Sequence, residues 1–229
     1  MITLILNTRG RPDLLVSMIN SFVDNAHDVN NFKFAIWVDD DDTATISKLE
    51  ELDTAADIHV AIGQRPKNLH STLNSLAKSF GSDYIFVLND DVKMLTKDWD
   101  TKITVDPDEI VYLYTHDNSA DKESTAEYAS FPILTRAAYE ALGYFMSEAF
   151  VGLGADVHLW RIFKSIDRIK ALDIELDHVY HSSVELVQSP DRTAAEMRMN
   201  SWRSNFDCWN IDISKDVERV KNEIESRML

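Results

Sequence analysis

The strongest constraint on the fold is a repeated alternation between short apolar runs and segments with helical spacing. Five runs rich in aliphatic and aromatic residues occur in the first half of the chain: 2–6, 34–38, 58–62, 84–88 and 110–114. Runs of this length are typical of strands buried on both faces. After each of the first three runs, apolar residues recur every three to four positions, which is the spacing of an amphipathic helix. Such alternation predicts an α/β fold with a mostly parallel central sheet flanked by helices.

The second half of the chain departs from this rhythm. It predicts strands at 131–134 and 174–180 and helices at 137–142 and 155–164, followed by a polar segment that ends in a helix-like stretch at 215–228. With 229 residues, of which 45% are apolar, a single large core is expected. We therefore predict one domain over 1–190 and a helical C-terminal extension over 191–229. The sequence leaves open whether this extension forms part of an acceptor site, a lid or an oligomer contact.

Charge and composition exclude several classes of protein. The 23 basic and 39 acidic residues give a net charge of −16, which disfavours non-specific binding to nucleic acid or anionic membrane. No apolar stretch reaches the length of a membrane-spanning helix, and the N-terminal run is too short for a signal peptide. The single cysteine, Cys208, excludes an intramolecular disulfide and a cysteine-rich zinc site. The sequence predicts a cytoplasmic protein without membrane contact.

Acidic residues follow two of the predicted strands. Asn89, Asp90 and Asp91 follow the run at 84–88, and Asp39 to Asp42 follow the run at 34–38. Parallel strands bring their carboxyl ends to one edge, where ligands of such sheets bind. Adjacent carboxylates repel each other unless a cation lies between them, and oxygen donors suit Mg²⁺ or Mn²⁺. The adjacent carboxylates of Asp90 and Asp91 therefore indicate a divalent metal site whose coordination shell phosphates could complete. The alternative is that Asp90 and Asp91 form a solvated corner between strand and loop.

The other acidic cluster and the nearby cations allow more than one role. Carboxylates at Asp39 and Asp40 could accept hydrogen bonds from a nucleotide base or ribose. Asp41 and Asp42 are better placed to stabilise the following helix through its dipole. Four cations on loops at the same edge either balance phosphate charge or neutralise the aspartates: Arg9, Arg11, Arg65 and Lys67.

Element order and short motifs together resemble the nucleotide-sugar glycosyltransferases of GT-A fold, in particular the family 2-like group. The motifs are ITLILNTRGRPDLL, FAIWVDDDD, YIFVLNDDVKM, FPILTRAAYEALGYF and FVGLGADVHLWR. The resemblance spans about residues 1 to 181 and implies a metal-dependent, inverting, hexosyltransferase-like enzyme. Its donor would be a nucleoside-diphosphate sugar and its cofactor Mn²⁺ or Mg²⁺. The acceptor stays open among a glycan, a protein, a small molecule and a nucleic acid.

The resemblance also implies roles for individual residues. Asp156 would be the catalytic base, and Asp91 and His181 would bind the metal, with His178 as the competitor of His181. The residues assigned to nucleotide binding are Thr8, Arg9, Asp39, Asp40, Arg65 and Asp90.

Two departures from the family pattern and two rival functions accompany these assignments. Asn89-Asp90-Asp91 stands where the family has Asp-x-Asp, and Ala155-Asp156 where it often has Glu-Asp. Without the resemblance, the sequence favours equally two roles for Asp156: the catalytic base, or a carboxylate that accepts hydrogen bonds from backbone donors at a helix start. The rival functions are a nucleotidyltransferase and a catalytically silent nucleotide- or glycan-binding module.

Overall fold

The computed structural model describes residues 1–80, 82–117, 129–150, 154–178 and 211–228. The strands in these ranges are β1 (Ile2–Thr8), β2 (Phe32–Asp39), β3 (Asp57–Gly63), β4 (Tyr84–Val87), β5 (Val92–Met94), β6 (Tyr112–Asp117), β7 (Pro132–Thr135) and β8 (Ile169–His178). The helices are α1 (Pro12–Asp24), α2 (Thr43–Glu50), α3 (Leu69–Ser79), α4 (Arg136–Leu142), α5 (Ala155–Ser165) and α6 (Ser214–Arg227). None of the helices in these ranges is long and apolar enough to cross a bilayer.

All eight strands belong to one mixed sheet in the order β3-β2-β1-β4-β7-β6-β8-β5. Strand β1 pairs in parallel with β2 and β4, but β7 runs antiparallel between β4 and β6, and β5 runs antiparallel to β8. The prediction of a mostly parallel sheet is therefore wrong. Apolar runs indicate where strands lie but not the direction in which they pair, so the antiparallel insertion of β7 between β4 and β6 had no signal in the sequence. The α/β class and the flanking helices are as predicted.

The sheet is covered on both faces because its strands are apolar on both faces. On one face, α1 buries Leu15, Met18 and Phe22 against alternate residues of β1 and β2. On the other face, α3, α4 and α5 pack over the residues that point the opposite way, such as Ile5 and Ala35. Complete burial of each large apolar side chain stabilises the fold by roughly 1.5–3 kcal/mol. Burial on both sides holds the strand ends, and the loops that leave them, in a fixed relation.

The C-terminal helix α6 packs onto the domain. Its Val220 is fully buried in the core beside α4 and α5. Arg219 donates from Nη1 to the carbonyl of Leu142 at 2.6 Å, and Arg161 donates to the carbonyl of Ile211 at 2.9 Å. The helix predicted at 215–228 is thus present, while residues 191–210 lie outside the described ranges. The proposed boundary at residue 190 stays a prediction.

Candidate functional site

Asp90 and Asp91 lie in the turn that follows β4, where β1 also ends. Both are buried, with 1% and 5% of their surface exposed. Thr8, the last residue of β1, donates from Oγ1 to Oδ2 of Asp90 at 2.7 Å. Parallel pairing of β1 with β4 brings these side chains together, because parallel neighbours end at the same edge. Two residues predicted to act in one site, Thr8 and Asp90, are therefore in contact.

Arg11 bridges the two carboxylates. Its Nε donates to Oδ2 of Asp90 and its Nη1 to Oδ2 of Asp91, both at 3.1 Å, and its Nη2 lies 2.5 Å from Oδ1 of Asp90. Gly10, with a φ of +67°, precedes Arg11, and Pro12 then begins α1. The left-handed conformation at this position favours glycine. The sequence placed Arg11 among the cations at this edge but gave no signal for its two partners.

His178, at the end of β8, faces the same pair. Its Nε2 lies 3.5 Å from Oδ1 of Asp91, and its ring packs edge-on against Phe131. The antiparallel register of β5 and β8 pairs Val92 with His178. Because Val92 follows Asp91 directly, this register sets the imidazole beside the carboxylate. His181, the predicted metal ligand, lies outside the described residues, so it is His178 that the structure describes next to Asp91.

Burial and charge move the pKa values of the two carboxyls in opposite directions. Burial raises the pKa of Asp90 to about 6, although the Arg11 guanidinium opposes the rise. Burial also acts to raise the pKa of Asp91, but the hydrogen bond from His178 and the charge of Arg11 outweigh it and hold that pKa below its ordinary value. Both groups are therefore ionised at neutral pH, and Asp90 is the first to accept a proton on acidification.

The end of β2 carries a second ionic cluster. Asp39, 5% exposed, accepts at Oδ1 from Trp37 Nε1 at 3.2 Å and at Oδ2 from Arg9 Nη1 at 2.9 Å. Arg65 Nε lies 3.9 Å from the same Oδ2. Arg9 also donates from Nη2 to Asp41 at 2.8 Å. Arg9 and Arg65 thus lie against aspartates in this structure, and the role of Trp37 had no signal in the sequence.

The neighbouring aspartates divide between solvent and backbone. Asp40 is exposed, and its backbone N–H donates to the carbonyl of Gly63 at 2.8 Å. Asp42 caps α2 by accepting from the N–H of Thr45 at 3.3 Å and also accepts from the N–H of Gly10 at 2.7 Å. The helix-start role predicted for Asp42 is present, whereas Asp41 pairs with Arg9. Asp40 thus presents its carboxylate to solvent at this edge.

Asp156 lies in the first turn of α5, directly after Gly154 and Ala155. Its Oδ1 accepts from the N–H of Val157 at 2.9 Å, and its charge acts on Tyr112 in β6. Burial raises the pKa of Asp156 above its ordinary value, against the effect of backbone donors. The described hydrogen bond of Asp156 is typical of a carboxylate at a helix start, which is the alternative that the sequence left open beside the role of base. None of the described contacts joins Asp156 to Asp90 or Asp91.

The donor atoms at the aspartate pair suit a divalent cation. Oδ1 of Asp90 and Oδ1 of Asp91 are buried, and each faces one nitrogen, Nη2 of Arg11 at 2.5 Å and Nε2 of His178 at 3.5 Å. Carboxylate oxygen with one imidazole nitrogen is a donor set that Mn²⁺ accepts. No group of three or more potential protein ligands occurs among the described residues. A bound ion would therefore complete its shell with water and phosphate oxygens, as Mg²⁺ and Mn²⁺ often do.

This arrangement of strands and helices is a GT-A-like glycosyltransferase fold. Among solved structures, S. aureus TarS 1-349 matches with a TM-score of 0.60 and 12% identity, covering 98% of this chain and 72% of its own. The mannosyltransferase PcManGT from Pyrobaculum calidifontis, in complex with GDP-Man and Mn²⁺, matches with a TM-score of 0.62 and 10% identity, covering 99% and 74%.

A third structure, S. aureus TarS 1-349 in complex with UDP-GlcNAc, matches with a TM-score of 0.60 and 11% identity, covering 98% of this chain and 80% of its own. No family model and no curated protein sequence matches the chain. At such identities the likeness shows the fold alone.

Proposed function

We propose that the protein is a glycosyltransferase that moves a sugar from a nucleoside-diphosphate donor to a hydroxyl acceptor with the help of Mn²⁺ or Mg²⁺. The observation that carries the proposal is the buried Asp90–Asp91 pair, held by Thr8 where β1 and β4 end on a GT-A-like fold. The ligands of the similar structures, GDP-Man with Mn²⁺, UDP and UDP-GlcNAc, support this class of donor.

The residues around the pair divide into two groups by their position. Asp91 is the proposed metal ligand, with His178 beside it as the second ligand and His181 as the alternative. A bound divalent ion would supply positive charge to the departing diphosphate. The residues proposed to surround the nucleotide lie at the ends of β1 and β2 or on the loops that follow β1, β2, β3 and β4: Thr8, Arg9, Asp39, Asp40, Arg65 and Asp90.

The proposed reaction is a single displacement with inversion. The acceptor oxygen forms a bond to the anomeric carbon while the bond from that carbon to the phosphate oxygen breaks. Asp156 takes the proton of the acceptor hydroxyl, and the nucleoside diphosphate leaves with the bonding electrons. A pKa raised by burial makes Asp156 a stronger base than an ordinary aspartate, and it remains usable wherever it is ionised.

A donor panel tests the proposal. Purified protein is incubated with UDP- and GDP-sugars, with and without Mn²⁺, and the release of nucleoside diphosphate is measured together with the thermal midpoint of unfolding. We expect Mn²⁺-dependent release from at least one donor and a raised midpoint, since a ligand stabilises the state it binds.

The same panel, extended with nucleoside triphosphates and sugar phosphates, separates the rival functions by product. Asp91→Asn should remove the Mn²⁺-dependent release while leaving the fold intact. Transfer of a nucleotidyl group, with release of pyrophosphate from a nucleoside triphosphate, would establish the nucleotidyltransferase instead. Donor binding without any turnover across acceptors would establish the silent binding module.

A further inference from the structure

Arg11 occupies the space between the carboxylates of Asp90 and Asp91. Three of its nitrogens contact three of the four carboxylate oxygens, at 2.5 Å and 3.1 Å for Asp90 and 3.1 Å for Asp91. A planar guanidinium with this many contacts is a strong binder of carboxylates. These oxygens are also the atoms that a divalent cation would need. Guanidinium and metal are therefore candidates for the same position.

Burial makes a positive charge at this position necessary. The Asp90 side chain has no exposed surface and that of Asp91 has 6%, whereas the Arg11 side chain is 31% exposed. Two adjacent buried carboxylates are strongly destabilising unless cations compensate them. Arg11 provides that compensation from the solvent side, on a flexible stem. It can therefore leave the pair without opening the core.

We propose that Arg11 is an exchangeable counterion, which neutralises Asp90 and Asp91 in the metal-free protein and competes with the divalent cation for them. The inference rests on the proposed function, because the cation belongs to that function. An incoming ion must displace the guanidinium from at least one carboxylate. The released guanidinium is then available to the diphosphate, whose oxygens it can bind in the same forked manner.

Direct titration with Mn²⁺ alone, followed by the electron paramagnetic resonance signal of the free ion, tests the inference. We expect Arg11→Gln to bind Mn²⁺ at least about tenfold more tightly than the wild type, because a competing cation is removed. Arg136→Gln is the matched control, since Arg136 also bridges two aspartates, Asp83 and Asp108, away from the pair. Its Mn²⁺ affinity should equal that of the wild type.

A purely structural role for Arg11 predicts the opposite sign. If the guanidinium only held the aspartates in place, its loss would weaken Mn²⁺ binding. Unchanged or weaker binding by folded Arg11→Gln therefore overturns the inference, as does the absence of Mn²⁺ binding by both the wild type and this variant. Adding Asp91→Asn to Arg11→Gln should abolish the gain, and retention of the gain would also overturn it.

A second variant covers the case in which Arg11→Gln fails to fold without metal. Arg11→Lys keeps the charge but loses the fork, so its Mn²⁺ affinity should lie above that of the wild type. Its thermal midpoint should also rise more on addition of Mn²⁺; affinity and shift at or below the wild-type values overturn the inference. The Mn²⁺ titration contains no sugar nucleotide, so its outcome does not depend on the donor panel. Tighter Mn²⁺ binding by the Arg11 variants, together with no turnover in the donor panel, would rule out the proposed function and leave this inference standing.

Discussion

The half-buried carboxyl of Asp156 gives a test of its proposed role as base. Asp156→Asn should reduce sugar transfer by about 10²- to 10⁴-fold, the usual contribution of a general base. Binding of the nucleoside diphosphate should be unchanged, because the described hydrogen bond of Asp156 is to the backbone of α5. The measurements are initial transfer rates and nucleotide affinity.

Asp13→Asn is the matched control for this substitution, since Asp13 lies in the first turn of α1 and is exposed. Its transfer rate should equal the wild-type rate. Full transfer by Asp156→Asn would leave Asp156 as a helix-start carboxylate and nothing more.

Asp90 gives a prediction about stability and pH. Its folded-state pKa of about 6 lies above the ordinary 3.8, so the folded protein holds this proton more tightly than the unfolded chain. The contribution of Asp90 to stability is therefore present below pH 3.8 and is lost as the pH rises through 6. Relative to Asp90→Asn, the wild type should lose roughly 3 kcal/mol of unfolding free energy between pH 3.8 and 7.

Urea unfolding of both proteins across this pH range measures that difference. Asp90→Asn also removes a charged partner of Arg11. This loss adds a constant offset to the difference in unfolding free energy, because arginine stays charged across the pH range. The slope of the difference therefore reports the titration of the Asp90 carboxyl together with its coupling to Asp91. A difference that grows in favour of the wild type as the pH rises would mean that the pKa of Asp90 is depressed in the folded protein.

At the scale of elements, Gly63 and Trp37 fit together where β2 and β3 end. A Cβ atom on Gly63 would lie 2.6 Å from Cη2 of Trp37, too close for either to stay in place. Gly63→Ala should therefore cost roughly 1–3 kcal/mol, the range for overpacking a filled site. It should also disturb Asp39, to which the Trp37 indole donates a hydrogen bond.

A double-mutant cycle measured by chemical unfolding checks this fit. In a Trp37→Leu background, which removes the obstructing ring, Gly63→Ala should cost clearly less than in the wild type. Equal costs in both backgrounds would show that the two residues do not share this space in solution.

The elements themselves were largely predictable, whereas their pairing was not. The apolar runs at 2–6, 34–38 and 58–62 correspond to β1, β2 and β3, because burial on both faces leaves a continuous apolar signature. Strand β5 has only three residues and no comparable run. Its register with β8 is a long-range property, and so the place of His178 beside Asp91 could not be predicted from spacing.

The candidate site follows the same division between local and long-range information. Asp90 and Asp91 were predictable because a strand end fixes where they lie. The three contacts of Arg11 were not, since they depend on how the loop turns at Gly10. Asp39 was expected to face a nucleotide, but in this structure both of its oxygens already accept hydrogen bonds, from Trp37 and Arg9.

At the scale of the whole molecule, α6 completes the apolar packing on the face of the sheet that α3, α4 and α5 cover. Val220→Ala should lower the free energy of unfolding by about 2 kcal/mol, because two buried methyl groups are lost and a cavity remains. Lys221→Ala, at an exposed position next to it on the same helix, should change stability by less than 0.5 kcal/mol or so. Denaturant unfolding of both variants tests whether the helix belongs to the cooperative unit. Equal stability of Val220→Ala and the wild type would mean that α6 is detached in solution.

The carboxylate of Asp42 holds two loops with two oxygens, one on the start of α2 and one on the backbone of Gly10. The segments that follow β1 and β2 are thereby fastened to each other through a side chain with no exposed role. A displacement of the segment after β1 away from the start of α2 must therefore break the hydrogen bond that Gly10 donates to Asp42.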